Sequence, residues 1–96
     1  MLSDPDHDAL EDIHDNIARA VRFVRGLDLV GFIEDDKSFY AATRCLEIIS
    51  EASRRLSPDF RRRFPEIPWK SVAASGIIYR HNYEGVLEHR VWDTIH

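Results

Sequence analysis

Residues 4–27 read DPDHDALEDIHDNIARAVRFVRGL, and this stretch decides the fold. Leu10, Ile13, Ile17, Ala20, Val24 and Leu27 recur at alternating spacings of three and four. That rhythm lays one apolar stripe along a helix and does not fit the period of two that a strand needs. Ser3 and Asp4 are both side chains that cap a helix start. Pro5 suits the first helical position, where its missing N–H costs nothing. The charges follow the helix dipole: Asp4, Asp6, Asp8, Glu11, Asp12 and Asp15 fill the first half, and Arg19, Arg22 and Arg25 the second. Gly26 is the predicted stop.

Outward from this helix, Leu29-Val30-Gly31-Phe32-Ile33 is apolar but brief, enough for one or two turns. Asp35-Asp36 then offers a cap for a second long helix carrying Phe39, Ala42, Leu46, Ile49, Ser53 and Leu56, again three and four apart. Two matched stripes joined by a short link predict an antiparallel pair. Ser57-Pro58 restarts the chain, with a short turn over Asp59 to Arg63. Pro65 and Pro68 predict an extended stretch from Phe64 to Trp69. A third substantial helix is predicted from about Pro68 to Tyr83, ended by Gly85. A last apolar pattern holds Val86, Leu87, Val91, Trp92 and Ile95. It stops at His96 with a face still to bury, which leaves two readings: a dimer completes that face, or a terminal helix has been lost. The fold class is therefore all-α, an up-and-down helical bundle with two long antiparallel helices.

Composition sets the frame for function. A chain of 96 residues makes a single domain with a thin stability margin, which a partner chain would widen. With 13 basic and 17 acidic side chains, the net charge of -4 excludes a uniformly basic nucleic-acid binder but permits a local basic patch. Cys45 is the single cysteine, so no intrachain disulfide forms and a reducing compartment is expected. The acidic start lacks a signal-peptide layout, and no apolar run approaches the roughly 20 residues that span a bilayer. The expected location is the cytoplasm, away from membranes.

The chemistry concentrates in residues 67–83, IPWKSVAASGIIYRHNY. Tyr79, Arg80, His81, Asn82 and Tyr83 are consecutive there. RNA cleavage without a metal needs such groups. A neutral imidazole takes the 2′-hydroxyl proton, a guanidinium stabilises the charge that develops on phosphorus, and tyrosines stack on a splayed base. On composition alone a plainer alternative stays open: Arg80 and His81 as surface residues near a helix end, beside partly buried tyrosines.

Several pieces keep family order along most of the chain: the helix from Ile13 to Leu27, Ile48-Ile49-Ser50-Glu51-Ala52, Ile67-Pro68-Trp69, His81-Asn82-Tyr83 and Val91-Trp92-Asp93-Thr94-Ile95. In this layout the chain resembles the HepT type of the HEPN ribonuclease superfamily. The resemblance implies a HEPN-like bundle that forms a homodimer, and a toxin ribonuclease paired with a minimal nucleotidyltransferase antitoxin of the MntA type. The family motif is an arginine, four to six residues, a histidine, one residue and a tyrosine. His81 and Tyr83 match it. The arginine is expected around Ser75 or Gly76, and Ala74-Ser75-Gly76-Ile77 stand there instead. Arg80 directly precedes His81. One residue is roughly 100° of helix and five are about 500°, or 140° past a full turn, so Arg80 does not simply take the missing position.

Two family readings follow. In one, His81 and Arg80 are the catalytic pair of a metal-independent endoribonuclease that needs no cofactor. In the other, the chain is a catalytically inactive homologue that serves as a dimeric binding module for a nucleotidyltransferase. The resemblance also makes Tyr83 the acceptor of AMP from the antitoxin, a bulky anion that would block entry of an RNA phosphate.

Other residues carry weaker signals. Arg54, Arg55, Arg61, Arg62 and Arg63 form a candidate RNA-binding patch, with favourable charges at helix ends as the plain alternative. Glu51, by resemblance, lies where it could orient Arg80 or His81. A metal site among Asp4, Asp6, His7, Asp8, Asp12 and His14 is set aside, because these residues fall on different helical faces and the dipole already explains the acids. His89 and His96 lack partners at ligand spacing. Cys45 is expected to be a buried small hydrophobe, and Trp69 and Trp92 to be core or dimer anchors.

Overall fold

Ser3 caps the first helix, its side chain accepting from the Asp6 amide at 3.2 Å, and α1 runs Asp4–Phe23. This is a computed structural model, and it describes residues 3–81 and 86–96; the side chains of 77–87 lie outside the described set. Pro5 occupies the second helical position rather than the first. Gly26 adopts φ +81°, a left-handed conformation that suits glycine in the turn after α1. Asp28 caps α2 (Leu29–Glu34) and Asp35 caps α3 (Asp36–Arg55), each accepting from an amide three residues on. Ser57 caps α4 (Pro58–Arg63), and α5 (Trp69–His81) and α6 (Val86–Ile95) complete the described helices. No strand occurs among the described residues, so the expected all-α bundle is what forms.

The two long helices are antiparallel, as their matched stripes predict. Asp6 meets Ser57, and the Asp12 carboxylate meets Arg55 at 2.5 Å. Ala9, Ala52 and Leu56 share one core cluster with Phe60, while Val24, Ala42, Leu46, Phe32 and Val91 share the other. Each cluster has one tryptophan at its margin: the Trp69 ring lies 6.3 Å from Phe60, and Trp92 lies 5.4 Å from Phe32. Cys45 is buried, and burial pushes its thiol pKa up, as expected of a packing residue.

The segment before α5 differs from the extended stretch that its prolines predict. Ile67 N–H donates to the Phe64 carbonyl at 3.2 Å, and the Trp69 indole N–H donates to the same carbonyl at 3.1 Å. Each proline fixes its own φ, but a turn with Pro65 at its second position satisfies that restriction and spends the Phe64 carbonyl twice.

Asp6 ties the start of α1 to the start of α4. It is only 5% exposed and accepts from Ser57 N–H and Ser57 Oγ, both at 2.7 Å. The Ser57 side-chain bond, then the Ser57 amide, hold its pKa below the ordinary carboxylate value, with smaller help from Ser3 and Arg63 against the cost of burial. A depressed folded pKa means the stabilisation is present above the unfolded value and is lost as pH falls through the folded one. Thermal unfolding followed from about pH 6 down to about pH 3 should show a fall in midpoint that Asp6→Asn makes smaller, while Asp35, held low by the Ser38 side chain and amide, contributes its own share.

Candidate functional site

The helix that carries the candidate chemistry is positioned by hydroxyl groups and a glycine. α5 begins after Pro68, whose carbonyl accepts from Val72 N–H at 3.0 Å. One turn later Ser50 of α3 reaches across the seam. Its Oγ donates to the Ala73 carbonyl at 2.9 Å and accepts from Gly76 N–H at 3.1 Å. Arg54 Nη1 also approaches the Ala73 carbonyl, at 3.5 Å. Gly76 is buried, and a Cβ placed on it would lie 2.7 Å from Ser50 Oγ and 3.0 Å from Ser50 Cβ. The backbones of α3 and α5 therefore meet where the family motif calls for an arginine, and no side chain fits there without displacing Ser50.

Past this seam α5 stays helical through His81. Gly76 and Arg80 are four residues apart, about 400° of rotation, so they sit one turn apart and only about 40° apart around the axis. Counted from His81, this is the difference between the 140° and 100° offsets read from the sequence. The side chains of Arg80 and His81 lie outside the described residues, and so does Tyr83 altogether.

The other sequence candidates are placed on their own elements. Glu51 is exposed on α3. One turn earlier Glu47 is better buried, its side chain 17% exposed and paired with Arg44 at 3.2 Å, and its backbone carbonyl would lie 3.9 Å from a Cβ placed on Gly76. Arg54 and Arg55 close α3, and Arg61, Arg62 and Arg63 close α4. Several already have local work: Arg55 on Asp12, Arg62 on Asp59, and Arg63 near Asp6. The Arg55–Asp12 and Arg62–Asp59 pairs lie at the surface, contribute little to stability and part easily for a phosphate.

In the acidic head, His7, Asp8 and Glu11 offer ligand atoms within 4.8 Å of one another, a grouping that the sequence argument from helical faces missed. All three are exposed. The dipole accounts for the acids. His89 is exposed, and His96 stacks on Trp92 with ring centroids 4.1 Å apart.

Sequence reasoning missed Ser50 as a positioning residue. A glycine inside a predicted helix was the available signal, since it marks a close backbone approach when it is not an end.

Comparisons with known proteins agree with this layout. The family model described as Ribonuclease HepT-like matches residues 13–96. A protein of Thermococcus cleftensis named "Probable ribonuclease HepT" is 40% identical over 88 residues, covering 92% of this chain and 80% of that one. A protein of Methanocaldococcus jannaschii that bears an RNase name is 36% identical over 86 residues, covering 90% and 79%. Another, from Caldanaerobacter subterraneus, also bears an RNase name and is 34% identical over 86 residues, covering 90% and 77%. No solved structure matches the chain. With the family model running from the middle of α1 through α6 and the relatives aligned over most of their own length, the chain belongs to the Ribonuclease HepT-like family.

Proposed function

We propose that this chain is a HepT-like toxin, a metal-independent endoribonuclease that acts as a homodimer and is silenced by a nucleotidyltransferase antitoxin. His81 takes the proton from a 2′-hydroxyl, whose oxygen attacks the adjacent phosphorus. The bond to the 5′-oxygen breaks, leaving a cyclic phosphate on one fragment and a 5′-hydroxyl on the other. Arg80 supplies the positive charge that the pentavalent phosphorus needs. The arginines at the ends of α3 and α4 track the RNA backbone. Tyr83 is the acceptor for AMP, and the added anion repels the substrate phosphate.

One observation supports this reading: Gly76 is locked against Ser50, and the sequence places an arginine one helical turn later, beside the motif histidine. The cation of the site has moved one turn along the helix instead of disappearing. The same lack of room at position 76 favours a second reading, in which the chain keeps the fold and the antitoxin contact but not catalysis.

Expression of the chain alone in bacteria, beside His81→Ala, separates the two. Arrested growth and fragmented RNA in the parent, both abolished by the substitution, are expected. If the folded parent leaves growth and RNA intact, the binding module replaces the enzyme.

A further inference from the structure

Tyr40 on α3 is 65% exposed, more than any other large apolar side chain among the described residues. Its ring is nevertheless held in place. It packs edge-on against Phe39 with centroids 5.3 Å apart, and Phe39 packs on the fully buried Phe32 at 6.0 Å. Two aromatic contacts thus tie the ring to the core while most of its surface stays in water. A ring already fixed loses little freedom when a ligand settles on it.

Cations flank this ring at helical spacing. Lys37 lies three residues before it and Arg44 four residues after it, and both are exposed. Residues so spaced are neighbours on one helix face. Glu47, one turn past Arg44 on that side, pairs with it at 3.2 Å. That pair steadies the guanidinium and leaves its other donors for a ligand. Lys37 sits near Asp35, but that carboxylate already accepts from the Ser38 amide and hydroxyl. A ring between two cations suits single-stranded nucleic acid, with the base on the ring and the phosphates on the charges.

The flank that carries Tyr40 borders α5. At 100° per residue, Tyr40 lies about 80° around α3 from Ser50, on the side of Arg54 and away from the core residue Leu46. Arg54 approaches the Ala73 carbonyl and Ser50 accepts from Gly76 N–H, so α3 and α5 run in opposite directions. On that course the backbone of His81, five residues past Gly76, comes level with the turn of α3 that holds Arg44. Tyr40 lies one turn further on.

We infer that Tyr40 is a stacking platform for an unpaired base of single-stranded RNA, with Lys37 and Arg44 holding the phosphates on either side. The inference rests on the ribonuclease reading above and adds a substrate subsite to it. A nucleotide near the cleaved bond is gripped by the face of its base, whichever base it is.

Binding of short single-stranded RNA by the His81→Ala chain, followed by fluorescence anisotropy, tests this without cleavage. Adding Tyr40→Ala should weaken binding about tenfold, with an unchanged melting curve. Tyr40→Phe and Tyr40→Trp should stay within about threefold of the parent, and Tyr40→Leu should not. Arg44→Gln should weaken RNA of every sequence alike and lower the salt slope by about one. RNAs with a single abasic nucleotide, moved along the strand, locate the stacked base. At one position the abasic RNA should bind about tenfold more weakly to the parent and no more weakly to Tyr40→Ala. Equal binding by Tyr40→Ala and the parent overturns the inference and leaves the ribonuclease reading standing, even if Tyr40 then proves to meet a protein. A loss that phenylalanine does not rescue, or that no abasic position reproduces, also overturns it. A folded parent that binds no RNA overturns both.

Discussion

Arg80→Ala is expected to slow single-turnover RNA cleavage by roughly 10²–10³-fold without unfolding the chain, because removing one oxyanion-stabilising donor costs about 3–4 kcal/mol at the transition state. His81→Ala should cost about 10²–10⁴-fold, the usual contribution of a positioned general base. The two effects should not add in the double variant, since groups acting on one transition state fail together. Arg80→Lys discriminates further. Lysine keeps the charge but loses the planar fork that meets two phosphate oxygens at once, so it should recover only part of the rate. The loss should fall on kcat more than on KM, because the charge it answers develops during the reaction. A rate within about threefold of the parent for Arg80→Ala, with His81→Ala inactive, would move the cation elsewhere, and the arginines ending α3 and α4 would be the next to substitute.

The scaffold was legible because each element satisfies one period. Leu10 to Leu27 and Phe39 to Leu56 repeat at three and four, and the helices they predict share core clusters, Ala9 with Ala52 in one and Val24 with Ala42 in the other. The caps were legible for the same local reason: Ser3, Asp35 and Ser57 bond amides within their own turn. What failed to show is what depends on two distant segments meeting. Pro65 and Pro68 restrict φ but do not choose between an extended path and a turn, and here the Trp69 indole bonding to the Phe64 carbonyl goes with the turn. The buried tie from Asp6 to Ser57 spans 51 residues, and neither partner alone suggests it.

The candidate site divides along the same line. His81 and Tyr83 are proposed from their motif spacing, and the absence of an arginine at Gly76 is equally plain in the sequence. That the emptiness is enforced by Ser50 was not, because a serine at this point in a helix reads as an ordinary small residue. Its role appears only once α3 and α5 are side by side.

Restoring the motif arginine should therefore damage the protein instead of reviving it. In Gly76→Arg the new Cβ would sit 2.7 Å from Ser50 Oγ, and the charge would start from a buried position between two helices. An uncompensated buried charge costs about 3–5 kcal/mol, which lowers the unfolding midpoint of a chain this size by roughly 12 °C or more. Gly76→Ala separates sterics from charge. It displaces the Ser50 hydroxyl, at about 1–3 kcal/mol for overpacking, and recovers about 1 kcal/mol of helix propensity. A milder fall in midpoint is expected. Ser50→Gly removes both atoms that a Cβ at position 76 would meet, so the Ser50→Gly, Gly76→Arg chain should regain most of the lost midpoint. If that double variant also cleaves RNA with Arg80 replaced by alanine, an arginine at position 76 can serve as the cation in this fold once Ser50 makes room. If Gly76→Arg alone melts with the parent, the seam yields more easily than the contact distances imply, and the proposed role of Arg80 loses the support it takes from the packing at Gly76.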